Sequence, residues 1–412
     1  MNVRSFLNIR FLVVFTIGYL LPVIAFVLVL SDRRPWSTDV ALKGVPGTSE
    51  GKIAPVINAV WSDVDGIIAF TGDIMQHARQ KGGDFDRSYS LIREELGAAD
   101  IVIGNLEFPI ERSRPTGPKL RTGIFNGEMA HLDALAKIGF DGLSIANNHI
   151  FDCGVTGLNS TLGLLKERNV IPVGLADPRQ GRVPLLQPAV FDVNGIRVAV
   201  CGATYTINVP KDPYPPEFPV LSLPFHDWRD DYREFGRTVF TQSAMSARVA
   251  GAQMLFLFAH WGQEWNFSPM PSQMDASYDA FEAGFDMIIG SHTHVIGPVK
   301  KVKEKFVVTS VGNFVSDFRE REVTVGAVAY VGMTSKGGIS RLGLLPVFIV
   351  RNDGQGRPLH LIVPLNQRRK AELLRTLTRY GVRDAEQRWH FCKILSARVF
   401  GAYRLDEPPQ RR

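Results

Sequence analysis

Cysteine is scarce in this chain. Its 412 residues hold three, Cys153, Cys201 and Cys392, with no CxxC pair among them. That excludes a disulfide framework and a cysteine-based zinc site. Cys201 ends the apolar run Val198–Cys201 and reads as buried and inert, and Cys153 reads as a small packing residue. Charge is also sparse: charged residues make up 21% and the net charge is +6. The basic excess lies late, in Arg368, Arg369, Lys370, Arg375, Arg379, Arg383, Arg388, Arg411 and Arg412. No aromatic–basic interleaving accompanies it, so no nucleic acid is expected as a partner and the charge reads as a solvated or membrane-adjacent face. There is no internal repeat. No activated Ser or Cys occupies a sharp turn, which argues against a nucleophilic triad.

Only one apolar run is long enough for a membrane. Residues 11–30, FLVVFTIGYLLPVIAFVLVL, carry no charge and at ~1.5 Å per residue are about long enough to cross a ~30 Å hydrocarbon core. Leu28-Val29-Leu30-Ser31-Asp32 is a poor cleavage sequence, so an uncleaved signal anchor is predicted. Pro22 is tolerated in such a helix. Lys and Arg are balanced across the span, so orientation is not set by the flanks. The expectation is a single-pass protein of the cell membrane, with its main domain outside the cytoplasm. Residues 31–65 read as a linker, 66–365 as the main α/β domain, and 366–412 as a basic helical tail. Apolar content of 45% supports a packed core.

Short apolar runs recur along 66–350, separated by helical patterns. Helices are expected near 84–96, at 128–138 with Asn126 as cap, and after Gly154, where Leu158, Leu162 and Leu165 share a face. Residues 190–200 read as a hairpin around Asn194-Gly195. The stretch 205–227, rich in proline and aromatics, is an irregular loop with the length of a lid or partner contact.

Strand after strand ends in a group able to ligate a metal: Asp73, Glu107, Asn148 beside His149, His260, and then His292 with His294. Open α/β sheets gather their chemistry at the carboxyl ends of strands. A set of imidazoles, carboxylates and a carboxamide suits Mn, Fe or Zn better than Ca. There are enough groups for two divalent ions bridged by a carboxylate. Singly, Asp73 suits a turn, Glu107 a surface charge and His260 a satisfied core position; together they point to a metal site. His149, with a reference pKa of ~6.5, is placed to protonate a leaving group. Asp152 either orients His149 or caps the following helix.

The motifs Thr71-Gly72-Asp73-Ile74-Met75, Asn105-Leu106-Glu107-Phe108-Pro109, Ala146-Asn147-Asn148-His149, His260-Trp261-Gly262-Gln263-Glu264, Gly290-Ser291-His292-Thr293-His294-Val295 and Val311-Gly312-Asn313-Phe314 follow in order. As an ordered set over residues 66–320 they resemble the CapA family of capsule and poly-γ-glutamate synthesis, a branch of the calcineurin-like metallophosphatase fold. The resemblance implies a four-layer α/β/β/α sandwich with a metal centre at its strand ends. It implies Asp73, Glu107, Asn148, His260, His292 and His294 as ligands and His149 as proton donor. Asn147, Glu264 and Asn313 are expected beside the ligands or the substrate, with Lys119 and Arg121 as candidate anion contacts. The Asp-x-His opening of ordinary metallophosphatases is absent here, and Thr71-Gly72-Asp73 stands in its place.

The resulting expectation is a membrane-anchored capsule biosynthesis or export protein with a metal-dependent hydrolase site. Its substrate would be an anionic polymer or a phosphoester, and other capsule-synthase subunits would be its partners. A general phosphoesterase and a non-catalytic polymer-binding subunit are the other readings.

Overall fold

A computed structural model describes residues 61, 63–113, 123–177, 184–208, 220–228, 230–336, 338–401 and 409, all within the unit Thr38–Arg412. The span expected at 11–30 lies outside the described residues, as do Lys119 and Arg121. Among the described residues no helix is long and apolar enough to cross a membrane.

The first half alternates strand and helix. β1 (Gly66–Ile74) is followed by α1 (Phe85–Ser88), α2 (Arg93–Leu96), β2 (Ile101–Leu106), α3 (Met129–Ile138), β3 (Gly142–Ser144), α4 (Gly154–Glu167) and β4 (Ile171–Val173). Crossovers of this length require parallel pairing, and β1, β2, β3 and β4 pair in parallel. A small ladder of β5 (Ala176–Asp177) and β6 (Leu185–Leu186) leads to β7 (Ala189–Val193) and β8 (Ile196–Thr204). Then come α5 (Asp230–Val249), β9 (Met254–His260), α6 (Pro271–Ala283) and β10 (Met287–Ser291). The chain finishes with β11 (Val299–Val302), β12 (Lys305–Val308), β13 (Asn313–Val315), β14 (Val325–Met333), β15 (Ile339–Asn352), β16 (Pro358–Pro364), α7 (Lys370–Arg379) and α8 (Ala385–Phe400).

Two sheets result. The larger runs β16-β15-β14-β1-β2-β3-β4, with β13 added against β1; the smaller runs β11-β12-β10-β9-β8-β7. They pack face to face, with Phe70 of β1 against Phe256 and Phe258 of β9 at ring distances of 5.6 Å. Alternation along each strand sets the layers. Ile67, Ala69, Val102 and Leu106 join Leu132, Leu135, Leu158 and Leu165 of α3 and α4 in one core. Leu255, Leu257 and Ala259 join Val239, Phe240, Ala276 and Ala280 of α5 and α6 in another. The fold is thus a mixed α/β sandwich, with helices on the outer faces.

Local readings differ from the structure in four places. The helix expected at 84–96 is two short helices. Phe85, Tyr89, Ile92 and Leu96 keep the helical period and are buried, but Ser90 and Ile92 donate three residues back, tightening the middle turn. Asn126 does not cap α3. Its carboxamide instead bonds the backbone of Glu111 (2.7 and 3.1 Å), and Glu128 takes the cap position. The 366–412 segment carries two packed helices, with Leu373, Leu377, Trp389, Cys392, Leu395 and Val399 buried. Trp389 meets Phe348 of β15, and Arg369 clamps the buried Glu95 at 2.8 Å. At the other end Trp61, in the stretch read as linker, is buried in the larger core. The hairpin at Asn194-Gly195 forms with positive φ at both residues (54° and 82°), the conformation of a tight primed turn.

Candidate metal centre

Strand parity decides which side chains reach the space between the sheets. In β2, Val102 and Leu106 face the helices, so Ile103, Asn105 and, one step beyond, Glu107 face inward. In β9, Leu255, Leu257 and Ala259 face the helices, and Phe256, Phe258 and His260 face inward. β1 would break this rule, since Asp73 shares parity with Ile67 and Ala69. A bulge corrects it: the pairing with β2 shifts between Phe70 and Asp73, so that one extra residue lies on β1 and Asp73 turns inward. Gly72 makes the bulge possible, because a Cβ there would lie 1.9 Å from the carbonyl oxygen of Gly312.

The remaining groups arrive on turns. After β10, His292 and His294 adopt positive φ of 86° and 58°, which bulky side chains avoid. The His292 N–H donates to Asp73 Oδ2 at 3.0 Å. Strain of this kind lets two imidazoles separated by one residue both point inward. After β3, Asn147 donates to Asn105 Oδ1 (3.1 Å) and to the Leu106 carbonyl (2.8 Å), and its own Oδ1 accepts the His149 N–H.

The groups meet in a buried cluster. Glu107, His260 and His292 bring one ligand atom each to within 4.8 Å of one another, and so do Asp73, Glu107 and His294; Glu107 belongs to both sets. His260 Nε2 lies 2.8 Å from Asn148 Oδ1, 3.1 Å from His292 Nδ1 and 3.6 Å from Glu107 Oε1. His294 Nδ1 lies 3.0 Å from Asn313 Oδ1 and 3.3 Å from Asp73 Oδ2. All six expected ligands are buried.

The electrostatics suit a cation. Burial pushes the Glu107 carboxyl well above the usual carboxylate range, and the charges of Asp73 and Glu264 add to this. Both Glu107 oxygens are buried without a hydrogen-bond partner. Burial holds His260 and His292 well below the ordinary imidazole value, helped by their neighbouring imidazoles. Neutral rings keep lone pairs for a metal. Burial also pulls His294 down, but its bond to Asp73 and the Asp73 charge prevail, and its net shift is upward. An orphaned, desolvated carboxyl among neutral imidazoles and a second carboxylate is a donor set that fits divalent ions.

The structure places the other expected residues as follows. His149 Nδ1 lies 2.8 Å from Asp152 Oδ2, which also accepts the Phe125 N–H at 2.7 Å. Asp152 therefore orients His149, and the N-cap of α4 is Cys153, whose thiol makes no capping bond and points instead at the Phe125 carbonyl (3.4 Å). Asn313 bonds His294, and Asn147 ties the strand ends together. Glu264 is exposed, and its charge reaches Glu107 and His294 across the mouth of the site.

Three residues at the site were not singled out from sequence. Asn105 donates to Asp73 Oδ1 (2.8 Å) and lies 3.2 Å from His260 Nδ1. Its spacing of two from Glu107 was the available signal. Tyr205 packs 4.5 Å from His292 and 4.2 Å from His226, and burial pushes its phenol up to about 12. Tyr205 and His226 lie at the two ends of the proline-rich stretch 205–227. Nearby, the Asn208 N–H donates to the Asn148 carbonyl (2.7 Å). Nothing local in the sequence marks these long-range contacts.

Fold and site together define a mixed α/β sandwich protein with a candidate divalent-metal centre at its strand ends. The chain belongs to the family described as bacterial capsule synthesis protein PGA_cap, whose model matches residues 67–318. It is 25% identical over 337 residues to the PGA biosynthesis protein CapA of Bacillus subtilis (strain 168), covering 78% of this chain and 79% of that one. It is 25% identical over 258 residues to the capsule biosynthesis protein CapA of Bacillus anthracis, covering 61% and 59%. Among solved structures, the 5'-nucleotidase from Candida albicans SC5314 aligns with a TM-score of 0.41 and 9% identity, over 83% of this chain and 58% of that one.

Proposed function

We propose that the chain is a membrane-anchored capsule-assembly protein. In this reading the domain has the calcineurin-like metallophosphatase architecture, and its centre holds two divalent ions and hydrolyses an anionic substrate. One observation carries this reading: Glu107, with both oxygens buried and unpartnered, is the shared corner of two ligand triads. Glu107, His260 and His292 would hold one ion with Asn148 alongside, and Asp73, Glu107 and His294 the other. When bound, such ions supply Lewis acidity.

The chain's own residues then divide the work. His149 donates its Nδ1–H to Asp152, which fixes the ring and leaves Nε2 to deliver a proton to the leaving group. Phe125, edge-on to His149 at 4.5 Å, keeps water from one side of the ring. The relatives' names point to a capsular γ-glutamyl polymer as the anionic substrate. Residues 11–30 would anchor the domain on the outer side of the membrane, next to other capsule-synthase subunits.

The test uses the full chain in detergent with Mn or Zn, aryl phosphate mono- and diesters, and γ-glutamyl peptides. About two ions per chain are expected. His149→Ala should retain the metal and lose roughly 10²–10⁴-fold in turnover on whichever substrate is active. Protein that stays metal-free at neutral pH in excess Mn or Zn refutes the metal centre. An alkaline phosphatase reporter fused after Arg412 should be active, and an inactive one places the domain inside.

A further inference from the structure

α1, the turn between β15 and β16 and the carboxyl end of α7 enclose a cleft of about 470 Å³. Arg87, Arg357, Arg379 and Arg383 line it, against one carboxylate, Asp353. That carboxylate is already occupied. Its Oδ2 accepts from Arg357 Nε at 2.6 Å, and its Oδ1 accepts the backbone N–H groups of Gln355 (2.8 Å) and Arg357 (2.9 Å). Arg87, Arg379 and Arg383 have no carboxylate within ion-pair distance among the described residues. Arg87 Nε is buried without a hydrogen-bond partner. A desolvated guanidinium N–H left unpaired is costly, and an anion in the cleft would relieve it.

The walls are built rather than loose. Gly354 of the turn lies so close to Gly381 after α7 that a Cβ would come within 2.1 Å of the Gly381 carbonyl oxygen. Ser88 of α1 donates through Oγ to the Leu359 carbonyl of β16 at 3.3 Å. The last turn of α7 is closed by backbone bonds from Tyr380, Gly381 and Val382. The Thr376, Leu377 and Thr378 carbonyls are therefore occupied, which lessens their repulsion of an incoming anion.

We propose that this cleft is a polyanion-binding site, separate from the metal centre, that takes a segment of a polycarboxylate chain. Each unpaired guanidinium presents a planar fork that matches a carboxylate. Carboxylates repeated along one polymer engage several arginines in a single association event. The identity of the polymer rests on the capsule reading above; the anion site rests on the arginines.

The probe is a fluorescent γ-linked glutamate oligomer of about ten residues, bound to the full chain in detergent and followed by anisotropy. Arg379→Gln with Arg383→Gln should weaken binding by about tenfold or more, because two charge-assisted contacts are lost. Arg87→Gln should weaken it independently, and all binding should fall as salt is raised. Metal content and aryl-phosphate turnover of the double variant should match the wild type. Equal affinity of wild type and double variant overturns the site. So does an oligomer that fails to bind while inorganic tripolyphosphate binds through the same arginines, since the ligand class is then phosphate. Failure of the hydrolase reading shows separately, as absent metal or turnover in the wild type with the binding isotherm intact.

Discussion

Glu107 is a carboxyl with nothing to bond. Its oxygens are buried without a hydrogen-bond partner, and desolvation, with the charges of Asp73 and Glu264 adding, pushes the carboxyl well above its usual range. Glu107→Gln should therefore leave the thermal stability of the chelated protein within about 1 kcal/mol of the wild type, since a carboxamide of the same shape replaces a desolvated, unpartnered carboxyl. In saturating Zn or Mn the wild type should gain about 2.7 kcal/mol at a hundredfold excess over Kd and the variant little. Thermal melts with and without chelator check both. His131 offers a second test, away from the metal. Its ring stacks on Phe85 at 4.2 Å, lies 2.5 Å from the Tyr89 hydroxyl and is held near pKa 3 by burial, against an ordinary 6.5. The folded state thus prefers neutral His131, and the unfolded chain takes up the proton first as pH falls. Its contribution is full above about 6.5 and is lost as pH drops towards about 3. Denaturant midpoints measured across that window should decline with acid, and His131→Gln should decline less steeply. Equal slopes would remove His131 from the account.

At the scale of elements, the bulge in β1 matters most. It moves Asp73 from the helix side to the space between the sheets. Gly72→Ala forces a Cβ against Gly312, so the bulge must open or the strand must shift. A loss of about 2–4 kcal/mol is expected, together with weaker metal binding. Calorimetry and metal titration check the pair, and a variant with unchanged metal affinity would show that the bulge does not place the ligand. Much of the element pattern was legible beforehand. The runs 66–70, 254–258 and 287–289 are continuous apolar strands, as both-sided burial requires, and the Asn194-Gly195 turn was plain. The break within 84–96 was not, because the apolar period is the same for one helix or two. The role of Asp152 was open for a similar reason: a carboxylate before a helix suits a cap as well as an imidazole partner.

At the scale of the molecule, the C-terminal segment is part of the packed unit. Arg369 satisfies Glu95, whose carboxyl burial pushes upward, and α8 buries Trp389, Phe391, Leu395 and Phe400. Ending the chain after Asn366 would expose those partners and leave the buried Glu95 without its guanidinium, held only by the Asn366 carboxamide at 3.0 Å. At about 1.5–3 kcal/mol for each large apolar side chain, the loss approaches the whole stability of a domain. Such a truncation should melt far lower than the full chain or fail to accumulate; an unchanged melt would show that the helices contribute little. The arginine-rich composition read as a solvated face, and composition cannot tell a clamp such as Arg369 from Arg379 and Arg383, which have no carboxylate within ion-pair distance among the described residues.

Residue chemistry and strand period are local properties, so the sequence alone determined the ligand types, the strand ends that carry them and the ordered motifs of the family. Which ligands share an ion is a matter of distance. Asp73 and His292 are 219 positions apart and meet only because two mixed sheets stack with the carboxyl ends of their parallel strands together. The bulge, the strained turn at His292 and His294, the orphaned state of Glu107 and the gathering of four arginines at the second cleft were decided by tertiary packing. Each depends on which partners the rest of the fold brings near or withholds.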